Sequence, residues 1–366
     1  MSNELLYQIA LTRVPQIGCI HARTLVDHFQ TAEQIFKASI RDLERIEGIG
    51  TIRAKKIKGF AAFNDVEDEM LFINKYKIEP IFITSLNYPQ RLLNCYDPPT
   101  ILYYRGNANL NASRIVAIIG TRSLTDYGKQ ITEELVRELA TEQAMIVSGL
   151  AFGVDGVAHK NCLKNNIATV GVLAHGLDTI YPAQHAGLAR EMIKNNGGLL
   201  TEFGSNTKPD KHNFPSRNRI VAGMSDAVIV VESGIKGGSM VTAELANSYN
   251  RDVFAVPGKI NDAKSAGCNY LIRNNKAILL AEVGQVAQTL GWTDVKKSLS
   301  RPKELFLHLN PDERLIVDLL NGMSHTSIDE LNLKTGLSSS AVAAAILNLE
   351  LQQVVKTLPG KMYCLY

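Results

Sequence analysis

Apolar positions recur at helical spacing through the first 78 residues, as in Leu5, Leu6, Ile9 and Ala10 and again in Thr24, Leu25, His28 and Phe29. Glycine turns at Pro15-Gln-Ile-Gly18 and Gly48-Ile-Gly50 punctuate them. Residues 1–78 therefore read as a domain of short amphipathic helices. Between 79 and 292 the pattern changes to short β-branched runs alternating with helical stretches. The runs are Ile115–Ile119, Met145–Val147, Ala168–Leu173, Ala227–Val231 and Val253–Val256. Strands apolar on both faces and separated by helices predict a parallel sheet covered on both sides. Ligands in such sheets gather at the carboxyl ends of the strands. A polar stretch, 293–302, reads as a linker. Residues 303–366 predict helices at Asp312–Leu320, Ile328–Leu333 and Ser339–Leu351. Two strands follow, Val354–Thr357 and Met362–Leu365, joined by Pro359-Gly360. That order suggests a winged helix, and no solenoid repeat is visible.

Composition narrows the classes. With 366 residues, two or three domains are expected. Hydrophobic residues at 45% and charged residues at 20% exclude a largely disordered or fibrous chain. The net charge of +3 is too small to demand a nucleic acid, so any basic footprint must be local. No basic leader precedes an apolar segment, and no apolar run reaches the roughly 18 residues of a membrane helix. The five cysteines are far apart and fit neither a zinc site nor a disulfide framework. A reducing cytoplasm is the expected setting, with no membrane partner, metal or cofactor.

Four strand-end segments carry the candidate chemistry. After the strand ending at Ile119 come Gly120, Thr121 and Arg122, then a helix. Glycine allows the tight turn, helix-start N–H groups bind anions, and Arg122 adds a permanent cation. Neither a dinucleotide fingerprint nor a Walker loop is present. The plain alternative is a structural turn with Arg122 paired to a surface carboxylate. A second strand end carries Ser148 and Gly149, small enough for close backbone approach, with Asp155 placed to cap the next helix. His159 has no nucleophile or metal partner at useful spacing and reads as structural. The third segment, Lys208-Pro-Asp-Lys-His-Asn-Phe-Pro-Ser-Arg-Asn-Arg219, holds four basic residues against one acid, with Phe214 among them. Cations interleaved with a ring suit single-stranded nucleic acid. They equally suit a helix start with Phe214 as a core anchor and Arg217 or Arg219 in salt bridges. In the fourth segment Gly237, Gly238 and Ser239 open a helix that contains Thr242 and Glu244. Several anion loops at strand ends, if they converge, favour a polyphosphate backbone over one nucleotide.

Taken together, these segments resemble the DNA-processing protein A family (DprA, also called Smf). The matching stretches are Val116-Ala-Ile-Ile-Gly-Thr-Arg-Ser, Val147-Ser-Gly-Leu-Ala, Gly176-Leu-Asp-Thr-Ile-Tyr-Pro182, Thr201-Glu-Phe203, Asn213-Phe-Pro-Ser-Arg-Asn-Arg-Ile-Val-Ala-Gly223, Gly238-Ser-Met-Val-Thr-Ala243, Arg251-Asp-Val-Phe-Ala-Val-Pro-Gly258 and Gly267-Cys-Asn-Tyr-Leu-Ile272. The resemblance implies an α/β chain whose extended Rossmann-like domain binds single-stranded DNA and forms a homodimer. It also implies loading of the RecA recombinase onto incoming strands in natural transformation, without catalytic turnover. By position, Arg122 and Lys211 would hold phosphates and Phe214 would stack or cover a base. Asn269 would also contact the strand. Thr121 stands where many members have serine, a change that keeps the hydroxyl. Arg217, Asn218 and Arg219 fit the signature as contacts or as braces of the loop.

The N-terminal module is nearly neutral in net charge. Gly48-Ile-Gly-Thr-Ile-Arg-Ala-Lys-Lys-Ile57 resembles the turn of a helix-hairpin-helix unit, and Pro15-Gln-Ile-Gly-Cys-Ile-His-Ala22 a degenerate partner. The family implies a sterile-alpha-motif-like domain here. With 11 basic and 10 acidic side chains in 1–78, an interaction role is expected ahead of strong DNA binding. The recognition helix of the winged helix, 338–353, contains no Lys or Arg, so a protein-interaction or regulatory role is expected rather than duplex reading. The main rival for the whole chain is a nucleotide-processing enzyme. The Gly-Gly-Ser segment looks like the loop of Rossmann-type phosphoribohydrolases, with Glu244 as the candidate carboxylate.

Overall fold

Five strands with every residue buried form the middle of the molecule: β3 (Ile115–Ile119), β4 (Met145–Ser148), β5 (Thr169–Val172), β6 (Gly198–Thr201) and β7 (Ala227–Val230). Burial on both faces is what their continuous apolar sequence requires, and helices supply the cover. In the computed structural model, which describes residues 3–292, 309–323, 325–352, 354–358 and 360–365, the sheet order is β1-β2-β6-β5-β4-β3-β7-β8-β9. The remaining strands are β1 (Glu79–Phe82), β2 (Ile101–Gly106), β8 (Asp252–Ala255) and the two-residue β9 (Ile278–Leu279). The expected linker at 293–302 and the turn residue Pro359 lie outside the described residues.

From β6 to β8 the strands pair in parallel. The sheet is nevertheless mixed: β1 pairs antiparallel with β2, and β2 antiparallel with β6. This departs from the all-parallel expectation, because antiparallel neighbours need no crossover helix. Strands β1, β2 and β6 had no periodic signal. Pro80 interrupts β1, which is tolerable on an edge strand, and Gly198 opens β6 directly after a turn.

Six helices precede the sheet: α1 (Asn3–Arg13), α2 (Cys19–Phe29), α3 (Ala32–Lys37), α4 (Ile40–Glu44), α5 (Gly50–Lys58) and α6 (Phe63–Tyr76). Thr31 and Ser39 cap α3 and α4 by accepting from Gln34 and Asp42 N–H groups. The buried face of α2 is Ala22, Leu25 and Val26, whereas His28 is exposed, contrary to the periodic reading. These helices share one core with the sheet, and residues through Ile278 form a single compact body. Glu69 of α6 accepts from Arg13 (2.9 Å) and from the Ser205 N–H and hydroxyl (3.0 and 2.8 Å), joining helices to sheet loops.

The parallel strands are crossed by α8 (Asp126–Thr141), α9 (Val154–Lys164), α10 (Ala186–Lys194), α11 (Asn213–Gly223), α12 (Gly238–Ser248) and α13 (Ala266–Arg273), with a short α7 (Gln90–Leu93) before β2. The second body, from Leu279 on, holds α14 (Gln285–Thr289), α15 (Pro311–Asn321), α16 (Ile328–Thr335) and α17 (Ser339–Leu351). Its sheet runs β10-β12-β11, with β10 (Thr326–Ser327), β11 (Val355–Leu358) and β12 (Met362–Leu365). Asn310 and Glu313 form a capping box at α15. Ile316, Leu331, Val342, Ile346 and Leu349 fill its core. This is the winged-helix arrangement that the apolar pattern predicts.

Candidate nucleic-acid interface

Strand order reverses between β3 and β7, which lie side by side although 107 residues of chain, 120–226, separate them. The loops leaving their carboxyl ends splay apart there and open a crevice. A cavity of about 270 Å³ occupies it, lined by Gly120, Thr121 and Arg122 after β3, by Gly149 and Asp155 after β4, by Phe214, Arg217 and Asn218 of α11, and by Lys236, Gly237, Gly238 and Ser239 after β7. Ten of the sequence-predicted site residues thus converge on one opening.

Each loop is positioned by its own bonds. The Thr121 N–H donates to the Glu232 carbonyl (2.7 Å), tying the β3 and β7 loops together. The start of α8 is not a free anion site, contrary to expectation. Thr125 caps it by accepting from the Gly128 N–H, and the buried Glu232 carboxylate accepts from the Thr125 N–H (3.0 Å) and hydroxyl. Glu232 therefore fills with its own charge the place a phosphate would take. The start of α12 is different: Gly237 extends into it with no side-chain cap, and Gly237, Gly238 and Ser239 line the cavity.

Phe214 is half-buried, neither sunk in the core nor free. The Arg122 guanidinium lies 5.3 Å from its ring centroid, that of Arg217 6.0 Å, and the Tyr181 ring 6.3 Å. Arg122 is exposed and, among the described residues, forms no ion pair; the same holds for Lys236. Arg217 is buried and works as a brace. Its Nη1 donates to the carbonyls of Gly149 (2.5 Å) and Val172 (2.6 Å), and its Nε to Asn218 Oδ1 (3.0 Å). A Cβ at Gly149 would stand 2.1 Å from that guanidinium and would push it off its two carbonyls. Burial pulls Arg217 down to about 10 while Asp155 opposes the shift. Burial likewise pushes the Asp155 carboxyl up, against the pull of Arg217 and of the Gly149 and Ala151 N–H groups it accepts from. Three basic side chains, Arg122, Arg217 and Lys236, line the cavity against one acidic side chain, Asp155.

Four predicted contacts do not line this cavity. Ser148 is buried and donates to the Ile118 carbonyl (2.6 Å), joining β4 to β3. Asn269 exchanges hydrogen bonds with Gly258 (3.0 and 3.2 Å) and fixes that loop. Arg219, two residues after Arg217 on α11, points to the other side of the helix and donates to the Asp97 carbonyl and to Glu202. Burial pushes the Glu202 carboxyl up and Arg219 counters it. Lys211 is exposed in the turn before α11, three residues from Phe214, and makes no ion pair among the described residues. Sequence reasoning passed over Lys236, although it directly precedes Gly237 in the fourth segment. Glu244, the rival catalytic carboxylate, is exposed on α12 and paired with Lys276 (2.7 Å), outside the cavity. His159 is buried, with Nδ1 2.7 Å from the Thr169 hydroxyl, and burial pulls it down to about 3.

The description of the DNA recombination-mediator protein A family matches residues 79–291, that of the DprA winged helix domain 302–361, and that of the helix-hairpin-helix motif 9–68. The Smf protein of Synechocystis is 32% identical over 99% of both chains. The DNA processing protein DprA of Bacillus subtilis is 40% identical over 63% of this chain and 81% of its own. Among solved structures, DNA processing protein A of Streptococcus pneumoniae superposes with a TM-score of 0.66 at 32% identity, covering 77% of this chain and 96% of that one. The Helicobacter pylori protein, solved for its single-stranded DNA binding mode, gives 0.54 at 36% identity, over 59% and 96%.

Proposed function

This chain belongs to the DNA recombination-mediator protein A family, and on that premise we propose that its switch-point cavity binds single-stranded DNA, without catalytic turnover. The observation that carries the reading is the meeting of Arg122, Phe214, Lys236 and the uncapped start of α12 in one opening. A phosphodiester chain supplies negative charge for the cations and N–H donors, and an unpaired base supplies a face for the ring. Gly120, Thr121, Gly149, Gly237, Gly238 and Ser239 let the strand approach backbone. Lys211 reaches it from the rim, and Arg217 and Asn218 hold the loops that touch it. Ser148, Arg219 and Asn269 act one step away, through strand and loop positions. The single-stranded DNA binding of the Helicobacter pylori relative supports this assignment. In the same reading the protein works in the cytoplasm as a homodimer through its Rossmann-like domain. It protects incoming strands during natural transformation and passes them to the RecA recombinase.

The test is a titration of single- and double-stranded oligonucleotides at two salt concentrations. Phe214→Ala should weaken single-strand binding by roughly 1–3 kcal/mol with little sequence preference. Arg122→Ala and Lys211→Ala should each lower the salt slope by roughly 0.7. Affinity and slope equal to wild type in all three folded variants would remove the cavity from DNA binding. Release of ribose phosphate from a nucleotide, lost in Glu244→Gln, would favour the enzyme instead.

A further inference from the structure

A second depression, of about 450 Å³, opens between the starts of α8 and α9 and has Arg122 on its wall, as the first cavity does. Lys129 and Lys160 line it, both exposed and both without an ion pair among the described residues. Asp126 is the carboxylate among its lining residues, so the cations outnumber it. Phe152, which also lines it, is 42% exposed, its ring edge-on to His185 at 5.2 Å. The loop around the ring is held firmly. Leu150 has φ +56 and buries its side chain completely, while its carbonyl accepts from His185 Nδ1 (2.9 Å). Gly153 has φ +78, and a Cβ there would stand 2.0 Å from the Thr121 carbonyl oxygen. The next N–H, of Val154, donates to that same oxygen (3.2 Å). The loop is thus clamped against the β3 turn, and the clamp leaves an aromatic face in solvent in a depression that two unpaired lysines also line.

Resting on the reading above, we propose that this depression is a second nucleotide seat on one continuous track. The strand leaving the Phe214 cavity passes Arg122 and lays a further base on Phe152, with Lys129 and Lys160 holding the phosphates on either side. Shared charge and an exposed ring on a fixed loop favour an unpaired strand over a duplex, whose bases are not free to stack on protein.

The experiment measures binding of oligothymidylates of increasing length to the full chain, wild type against Phe152→Ala, Lys129→Ala/Lys160→Ala and Phe214→Ala. Phe152→Ala should leave the shortest bound oligomer unaffected and weaken long ones by roughly 5- to 150-fold, with Phe152→Tyr restoring affinity. The lysine pair should lose roughly 1.4 from the salt slope on long oligomers alone, at roughly 0.7 per phosphate. Wild-type affinity and slope in these variants at every length, with Phe214→Ala still weak, would overturn the second seat and leave the first standing. An equal loss at all lengths would also overturn it. If wild type and Phe214→Ala bind alike throughout, the reading of the first cavity falls, and the second seat with it.

Discussion

The crevice between β3 and β7 and the winged helix of the second body are both architectures that hold nucleic acid in other proteins, yet their chemistry here is opposite. The crevice gathers Arg122, Lys236 and Arg217 around uncapped N–H groups. On the winged helix, α17 carries no cation at all and exposes Leu347 (57%) and Leu351 (76%) to solvent. A helix without cations cannot release the counterions that drive association with a polyanion. The lesson is that fold supplies a place, and the side chains at that place decide whether DNA is held there.

Three measurements test this contrast. The largest effect is expected where a cation of the first body serves the fold and not the crevice. Arg219→Ala leaves Glu202 buried without its partner, the two side chains being 12% and 17% exposed. A loss of about 3 kcal/mol in unfolding free energy is expected, with the salt slope of DNA binding unchanged. A reduced slope in the folded variant would move Arg219 into the crevice.

The second measurement is acid titration of stability. Burial holds His159 down to about 3 in the folded body, whereas the unfolded imidazole titrates near 6.5. The unfolded chain therefore binds the extra proton between those values. Stability is complete above 6.5 and falls as pH drops toward 3, by roughly 2 kcal/mol at pH 5. Denaturant melts at pH 7 and 5 should show this loss, and His159→Leu should flatten it. The same slope in both proteins would clear His159 of the effect.

The smallest effect is a gain. Ala344→Lys with Asn348→Lys puts two cations on the exposed face of α17. If charge is what the winged helix lacks, the duplex-binding salt slope should steepen by roughly 0.9 for each phosphate neutralised, with single-strand affinity unaltered. No change in duplex binding would show that geometry, and not charge, silences this face.

Much of this was legible in the residues. The all-apolar runs of β3, β4, β5 and β7 could only be central strands, and the glycine-rich ends after them marked the crevice. The winged helix followed from helical spacing and two short apolar runs. What stayed hidden depends on side-chain direction and on distant partners. Arg217 and Arg219 look equivalent in Asn213-Phe-Pro-Ser-Arg-Asn-Arg219, but residues two apart face different sides of a helix. One therefore meets Gly149 and Val172, the other Asp97 and Glu202. Ser148 and Asn269 bond to carbonyls that no local pattern brings near them. The loop after β4 was legible as a strand-end segment, but nothing in its residues marks Phe152 as exposed, since that depends on a backbone with positive φ at Leu150 and Gly153.

The clasp of Glu232 on Thr125 has a bearing on selectivity. In many sheets of this topology the first turn seats the pyrophosphate of a soluble coenzyme. Here an internal acid already sits on that helix start and repels any newcomer of its own sign. That start of α8 is thereby disfavoured as a seat for a coenzyme's pyrophosphate. In the proposed reading, a strand held from α12 and from the rim is spared that repulsion, since Glu232 is not among the residues lining the cavity.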